Sequence, residues 1–189
     1  PEFDRKMQDV LLVYRDVSLY TEGAVHDGRP NPIYTVSVDE KPGVQALGLT
    51  APDLPPVPGK AATVSRDYEY VRHGTVSILA GIDLNSGHIF ARTEDRHRSV
   101  EFRKFLDTIE RAVPATLEVH LILDNYGTHK TASIRSWLAK RPRFHVHFTP
   151  TSASWINLVE RWFAALTEKQ IRRGTHRSVR QLGNAIKGY

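Results

Sequence analysis

The chain has no cysteine among its 189 residues. That absence removes disulfides, thiolate zinc sites and cysteine nucleophiles together, and it is compatible with a reducing interior. No apolar run approaches the roughly 20 residues of a membrane-spanning helix, and the opening PEFDRKMQDV lacks the pattern of a secretory signal. A cytoplasmic location is therefore expected. Pro-Glu-Phe without an initiating methionine reads as a cloning remnant or the start of a fragment. No internal repeat or low-complexity tract is visible. Hydrophobic residues make up 40% and charged residues 25%, which fits an ordinary globular chain rather than a disordered one. The length suits one domain.

Charge is present but unevenly spread. The net charge is +5, yet from Lys130 to Tyr189 there are 12 Lys and Arg against two acids, Glu160 and Glu168. The first 129 residues hold 14 bases and 19 acids. A basic flank beside an acidic region suits a polyanion such as nucleic acid, although a simply solvated basic face would look the same.

Periodicity then sets out the elements. Met7, Val10, Leu11 and Tyr14 fall at helical spacing within Phe3 to Val17, and a loop rich in Gly, Pro and Asp follows from Glu22 to Pro32. In Ile33 to Asp39, alternation puts Tyr34, Val36 and Val38 on one face and Ile33, Thr35, Ser37 and Asp39 on the other. Residues 1–32 are thus a lead-in helix and loop, and 33–189 the domain proper, with a Pro/Gly-rich insertion at about 41–74. Thr75 to Leu84 and His88 to Arg92 flank Asn85-Ser86-Gly87 as an antiparallel pair. Phe102, Phe105, Leu106, Ile109 and Val113 mark a helix ended by Pro114, and Leu117 to Leu123 is an apolar central strand. A helix around Ile134, Trp137 and Leu138 precedes a strand from Arg143 to Thr149. Trp155, Leu158, Val159, Trp162, Phe163 and Leu166 form one helical stripe, capped by Ser152 or Ser154, and Ser178 with Gln181 opens a closing helix. The order β-β-β-α-β-α-β-α predicts a mixed five-stranded α/β sheet, three antiparallel strands and then two parallel ones, flanked by helices.

Three acids stand out on this layout. Asp39 closes the first strand, Asp124 closes the central one, and Glu160 follows after 35 intervening residues in the amphipathic segment. If the two strands are parallel neighbours, both aspartates emerge at the carboxyl edge, where open α/β sheets hold ligands. Three converging carboxylates repel one another unless a cation neutralises them, and hard oxygen ligands suit Mg²⁺ or Mn²⁺. Such ions serve phosphoryl transfer, with a metal pair roughly 3.5–4 Å apart clamping the attacking and leaving oxygens. Taken singly, each aspartate has a simpler reading as a turn or cap residue.

The blocks VDEKPGVQAL, RDYEYVRHGT, LDNYGTHK and FTPTSASWINLVERWF carry a more specific signal. They resemble the DDE transposase domain of mariner-like bacterial insertion sequences, from about Val36 to the C-terminus. The resemblance implies an RNase H-like fold and identifies Asp39, Asp124 and Glu160 with the family's metal-binding catalytic carboxylates. It further implies two Mg²⁺ or Mn²⁺ ions, cleavage at transposon ends, 3′-hydroxyl strand transfer into target DNA at TA-type sites, and a homodimeric assembly. Family members carry a helix-turn-helix region ahead of the catalytic domain. The residues before Asp39 leave no room for one, so a catalytic fragment, or a protein that has lost its DNA reader, is expected. An RNase H-like nuclease without strand transfer, and a non-catalytic nucleic-acid-binding domain, stay open as alternatives.

Around the acids, Asn157 and His129 are candidates to support a carboxylate or touch a phosphate. Lys130, Arg161, Lys169, Arg172 and Arg173 are candidate phosphate contacts, against a plain solvated-surface reading. His120, His145 and His147 share a region, but with no acidic partner evident nearby a histidine metal site is disfavoured. Trp155 and Trp162 are expected in the core rather than as base-stacking platforms.

Overall fold

The computed structural model describes residues 1–21, 32–65 and 69–189; the loop expected over Glu22 to Pro32 lies outside them except for Pro32. The elements are α1 (Glu2–Thr21), β1 (Ile33–Leu49), β2 (Tyr70–Asp83), β3 (Ile89–Glu94), α2 (Ser99–Ala112), β4 (Glu118–Leu123), α3 (Ala132–Ala139), β5 (Phe144–Phe148), α4 (Val159–Leu166) and α5 (Val179–Lys187). The sheet order is β3-β2-β1-β4-β5, with β1–β2 and β2–β3 antiparallel and β1–β4 and β4–β5 parallel. This is the mixed five-stranded sheet expected from the element order.

Both faces of the sheet are covered. Val36, Val38, Leu79, Leu121 and Leu123 pack under Phe102, Phe105 and Ile109 of α2 and Ile134 and Trp137 of α3. On the opposite face, Val44, Val76, Ile78 and Ala80 meet Val159, Phe163 and Leu166 of α4 and Leu182 and Ile186 of α5. A smaller cluster joins Val10 and Val13 of α1 to Ile122, Ala153 and Ile156. Two-face burial explains why β4 reads as a nearly unbroken apolar run. Among the described residues no helix is long and apolar enough to cross a membrane.

The first strand is much longer than its alternation suggested. Residues expected to begin an insertion at Lys41 continue β1 to Leu49, and β2 starts at Tyr70, so β1 and β2 form a long two-stranded arm. Pro42 and Gly43, which read as strand breakers, sit at a register shift between Lys41 and Val44, where Gly43 has φ +68. A bulge tolerates both, because it leaves one residue outside the ladder and needs positive φ. Asp39 is consequently mid-strand rather than terminal. It lies where β1 loses its parallel neighbour, since Ser37 pairs with Ile122 and β4 ends at Leu123.

The helical stripe of the last block is interrupted. Ser154–Ile156 form a 3₁₀ turn, Asn157 is extended with φ −85 and ψ 102, and α4 begins only at Val159. The change of phase puts Trp155 at 73% exposure, outside the core, while Trp162 packs partly buried against α4's cluster. Neither Ser152 nor Ser154 caps α4, whose first amide, on Val159, donates instead to Ser37 Oγ of β1 at 3.1 Å. The closing helix behaves as expected, with Ser178 Oγ accepting from the Gln181 amide at 3.1 Å.

Beneath α1 three imidazoles gather on β4 and β5. His147 Nε2 lies 3.1 Å from His120 Nδ1, and His147 Nδ1 lies 2.9 Å from Asp9 Oδ2 of α1. His145 Nε2 lies 2.8 Å from Glu118 Oε2. Acidic partners invisible in the linear sequence are thus supplied, yet among the described residues no three such groups are gathered to hold a metal ion. Burial, and then the neighbouring His147 and His145, push the His120 pKa down to about 4 from 6.5. Between those values the unfolded chain takes up the proton and the folded one does not, so stability falls as pH drops through this window. His120→Gln is expected to flatten the fall in Tm between pH 6.5 and pH 4. Identical Tm slopes for the two chains would contradict the assignment.

Candidate functional site

Each acid reaches the carboxyl edge by a different route. Asp39 lies on the β1 face covered by α4 and is 7% exposed. Asp124 follows the last residue of β4, with its side chain 33% exposed. Glu160, in the first turn of α4, is exposed rather than buried in an apolar stripe, a position where the helix dipole favours a negative charge. Burial first, and then the charges of Asp124 and Glu160 and a hydrogen bond with Glu160, hold the Asp39 carboxyl well above the usual carboxylate range. The Glu40 amide, donating at 2.7 Å, opposes that shift. Mutual repulsion of this kind is what three acids on one site produce. No three acid or histidine groups among the described residues close into a metal cage as they stand; the acids meet through Asp39.

Asn157 fixes that meeting point. The residue is fully buried, and its Nδ2 donates to Val38 O at 2.9 Å and to Asp39 Oδ2 at 3.3 Å. Its Oδ1 accepts from the Ser37 hydroxyl, whose oxygen in turn accepts the Val159 amide. One amide side chain therefore ties β1, the Asp39 carboxylate and the start of α4 together. Tyr14 of α1 braces the same turn, its hydroxyl donating to Ile156 O at 2.5 Å.

His129 plays the corresponding part for Asp124. Its ring is buried against Phe102, with Nδ1 3.0 Å from Asp124 Oδ1 and Nε2 3.5 Å from Glu40 Oε1. The second separation is that of an ion pair, not a hydrogen bond. Burial disfavours the charged ring, but Asp124 and then Glu40 outweigh it and raise the His129 pKa to about 9. For Asp124, burial opposes the charged form, while His129, the Tyr126 amide and Lys130 outweigh it and bring the carboxyl below its usual range. A cavity of about 240 Å³ opens here, lined by Asp39, Glu40, Pro42, His97, Asp124, Tyr126 and His129.

The remaining sequence candidates divide. Lys130 lies beside Asp124, its Nζ on Asn125 and over the Phe148 ring at 4.7 Å. Arg161 is exposed next to Glu160. Lys169, Arg172 and Arg173 fall at or beyond the π-helical turn Thr167–Ile171 that follows α4, about 12 Å or more along the axis from Glu160, and Arg172 is paired with Glu168 at 2.5 Å. Glu40 and Ser37 were not singled out by the sequence. The signal for Glu40 was available, since strict alternation puts it on the apolar Val36–Val38 face, where a buried acid requires a partner.

An acidic edge on an RNase H-like sheet defines a class of metal-dependent enzymes acting on phosphodiesters. The chain belongs to the DDE superfamily endonuclease family, whose model matches residues 45–183, a span that includes Asp124 and Glu160 but not Asp39. Enzymes of that superfamily depend on divalent metal ions. The chain is 31% identical over 112 residues, 59% of its length, to an insertion element IS630 uncharacterized 39 kDa protein of Shigella sonnei, of which this covers 33%. The fold is shared with the crystal structure of the Mos1 strand transfer complex, at TM-score 0.56 and 13% identity over 98% of this chain and 52% of that one. It is also shared with the cryo-electron-microscopy structure of a simian T-cell lymphotropic virus intasome in complex with PP2A regulatory subunit B56 gamma, at TM-score 0.51 and 14% identity over 83% and 47%. The chain thus spans about a third to a half of the proteins it matches. These matches bear out the resemblance to mariner-like insertion-sequence transposases read from the motif blocks.

Asn157→Ala removes the donor to Val38 O and Asp39 and the acceptor for Ser37, all buried, and is expected to cost roughly 1–3 kcal/mol. Urea unfolding should show a lower midpoint with an unchanged slope. Trp155→Ala, at an exposed ring, should stay within about 0.5 kcal/mol of the parent. Equal midpoints for the Asn157→Ala and Trp155→Ala chains would contradict the buried clasp.

Proposed function

We propose that residues 33–189 are the catalytic domain of a DNA transposase, with α1 as an accessory brace. In this reading Asp39, Asp124 and Glu160 hold Mg²⁺ or Mn²⁺, two ions in the full active site, and the domain acts as a homodimer on cytoplasmic DNA. The carrying observation is that acids from three separate parts of the fold share one charge cluster, in which burial and then Asp124 and Glu160 raise the proton affinity of Asp39. That unrelieved repulsion and the all-oxygen donor set fit a hard divalent cation.

When bound, the metal would lower the pKa of a water and stabilise charge on the leaving oxygen. The chain's own groups orient the parts. Asn157 and the Glu40 amide fix the Asp39 carboxylate, and His129 with the Tyr126 amide fixes Asp124. Lys130 and Arg161, beside the acids, would take DNA phosphates. In the first step a water oxygen attacks phosphorus and the P–O3′ bond breaks, leaving a 3′-hydroxyl and a 5′-phosphate. In the second that hydroxyl attacks a target phosphodiester, exchanging one P–O bond for another, so that no external energy source is needed.

Asp39→Asn, Asp124→Asn and Glu160→Gln should each lower Mn²⁺-dependent nicking of DNA roughly 100-fold or more while leaving DNA affinity nearly unchanged. Full nicking by Asp124→Asn would refute the assignment. With a precut 3′-hydroxyl end, a joined product is expected. Cleavage without joining would identify a nuclease instead.

A further inference from the structure

A second groove lies away from the acids, between α2 and α3, with a volume of about 380 Å³. Both helices start at the carboxyl edge of the sheet, because each follows a strand parallel to β1 and leads into another. His97, just before α2, and His129, just before α3, line the acidic cavity. The groove therefore runs along helices whose first turns face the carboxyl edge, and it shares no lining residue with the acidic cavity.

Its floor is built. Trp137 is 5% exposed, and its Nε1 donates to Asp107 Oδ1 at 2.7 Å. The Arg141 guanidinium lies 4.1 Å from the Trp137 ring centroid and is pinned by Glu110 at 2.7 Å. Glu110 is thus paired with Arg141, while Asp107 is hydrogen-bonded by the Trp137 indole, leaving three cations in the lining, Arg103, Lys140 and Arg141, against the one acid Asp107. Arg103 and Lys140, on opposite walls, have no acidic partner among the described residues. Ser133 and Ser136 line the same wall as Lys140, and their hydroxyls bond nothing among the described residues. Ser133, Ser136 and Lys140 follow i, i+3, i+7 spacing on one helix face. They span about 10 Å along the axis, the length of about three phosphates of one strand.

We propose that this groove is a phosphodiester-binding track that carries one DNA strand away from the acids, Arg103 and Lys140 neutralising its phosphates and Ser133 and Ser136 donating to them. The track rests on the proposed DNA-processing function and extends it, since the cations named around the acids lie elsewhere. Hydroxyl and cationic donors of this kind read the backbone, not the bases, so the track is indifferent to sequence.

The test measures binding of the 189-residue chain to a DNA duplex bearing a single-stranded 3′ extension, across a range of salt concentrations. Removing two phosphate contacts by Arg103→Ala with Lys140→Ala should reduce the slope of log K against log salt by about 1.4 on a single-stranded segment. Lys187→Ala, on α5, should leave the slope as it was. A photocrosslinking residue in place of Ser136 should capture the extension strand. An unchanged slope in the double variant, with the parent binding DNA normally, would overturn the track and leave the acidic site standing. A parent chain that fails to bind the DNA at all would overturn the functional reading as well.

Discussion

The structure turns on a single buried amide. Asn157 sits at the break between the 3₁₀ turn and α4, where its side chain reaches across to β1 and satisfies Val38 O, Ser37 and Asp39 together. A buried polar side chain is costly unless all its partners are met, and here they are met by groups that must be in register for the site to exist. Ser37 completes the arrangement by capping α4 from a strand, so the helix carrying Glu160 cannot start elsewhere without losing a hydrogen bond. The position of Glu160 over Asp39 is therefore an outcome of backbone satisfaction as much as of hydrophobic packing.

Electrostatics divides the edge into two unlike halves. Asp124 is stabilised as an anion by a charged, buried His129 that also faces Glu40, so its charge is compensated within the protein. Asp39 is buried, accepts from the neutral Glu40 amide and Asn157 side chain, and faces two other acids, and its proton affinity rises. A divalent cation would act mainly on the uncompensated half. Under α1, His120 and His147 are hydrogen-bonded to each other and His147 to Asp9, which makes them part of the packing between α1 and β5.

Much of this was legible in the sequence, for reasons that differ by element. The heptad-like apolar spacing of α2, the apolar run of β4 and the parallel order of β1, β4 and β5 follow from local patterns, and they suffice to bring Asp39 and Asp124 level. Pro42 and Gly43 concealed the length of β1, because the signal for a loop is also the signal for a bulge. Trp155 was misassigned because helical phase was carried through Asn157, where the backbone leaves the helix to satisfy a tertiary clasp. Helix caps are sought among neighbours in sequence, and Ser37 is far from Val159 along the chain. The α2–α3 groove had no sequence signature, since its cations are scattered over two helices and its floor depends on Asp107 meeting Trp137.

The central claim is that one cation site is assembled from β1, β4 and α4. Anomalous diffraction from crystals soaked in Mn²⁺ measures it most directly. The account predicts a peak bound by carboxylate oxygens of Asp39, Asp124 and Glu160. Saturating Mn²⁺ that gives no peak there, or one only at His120 and His147, would contradict it.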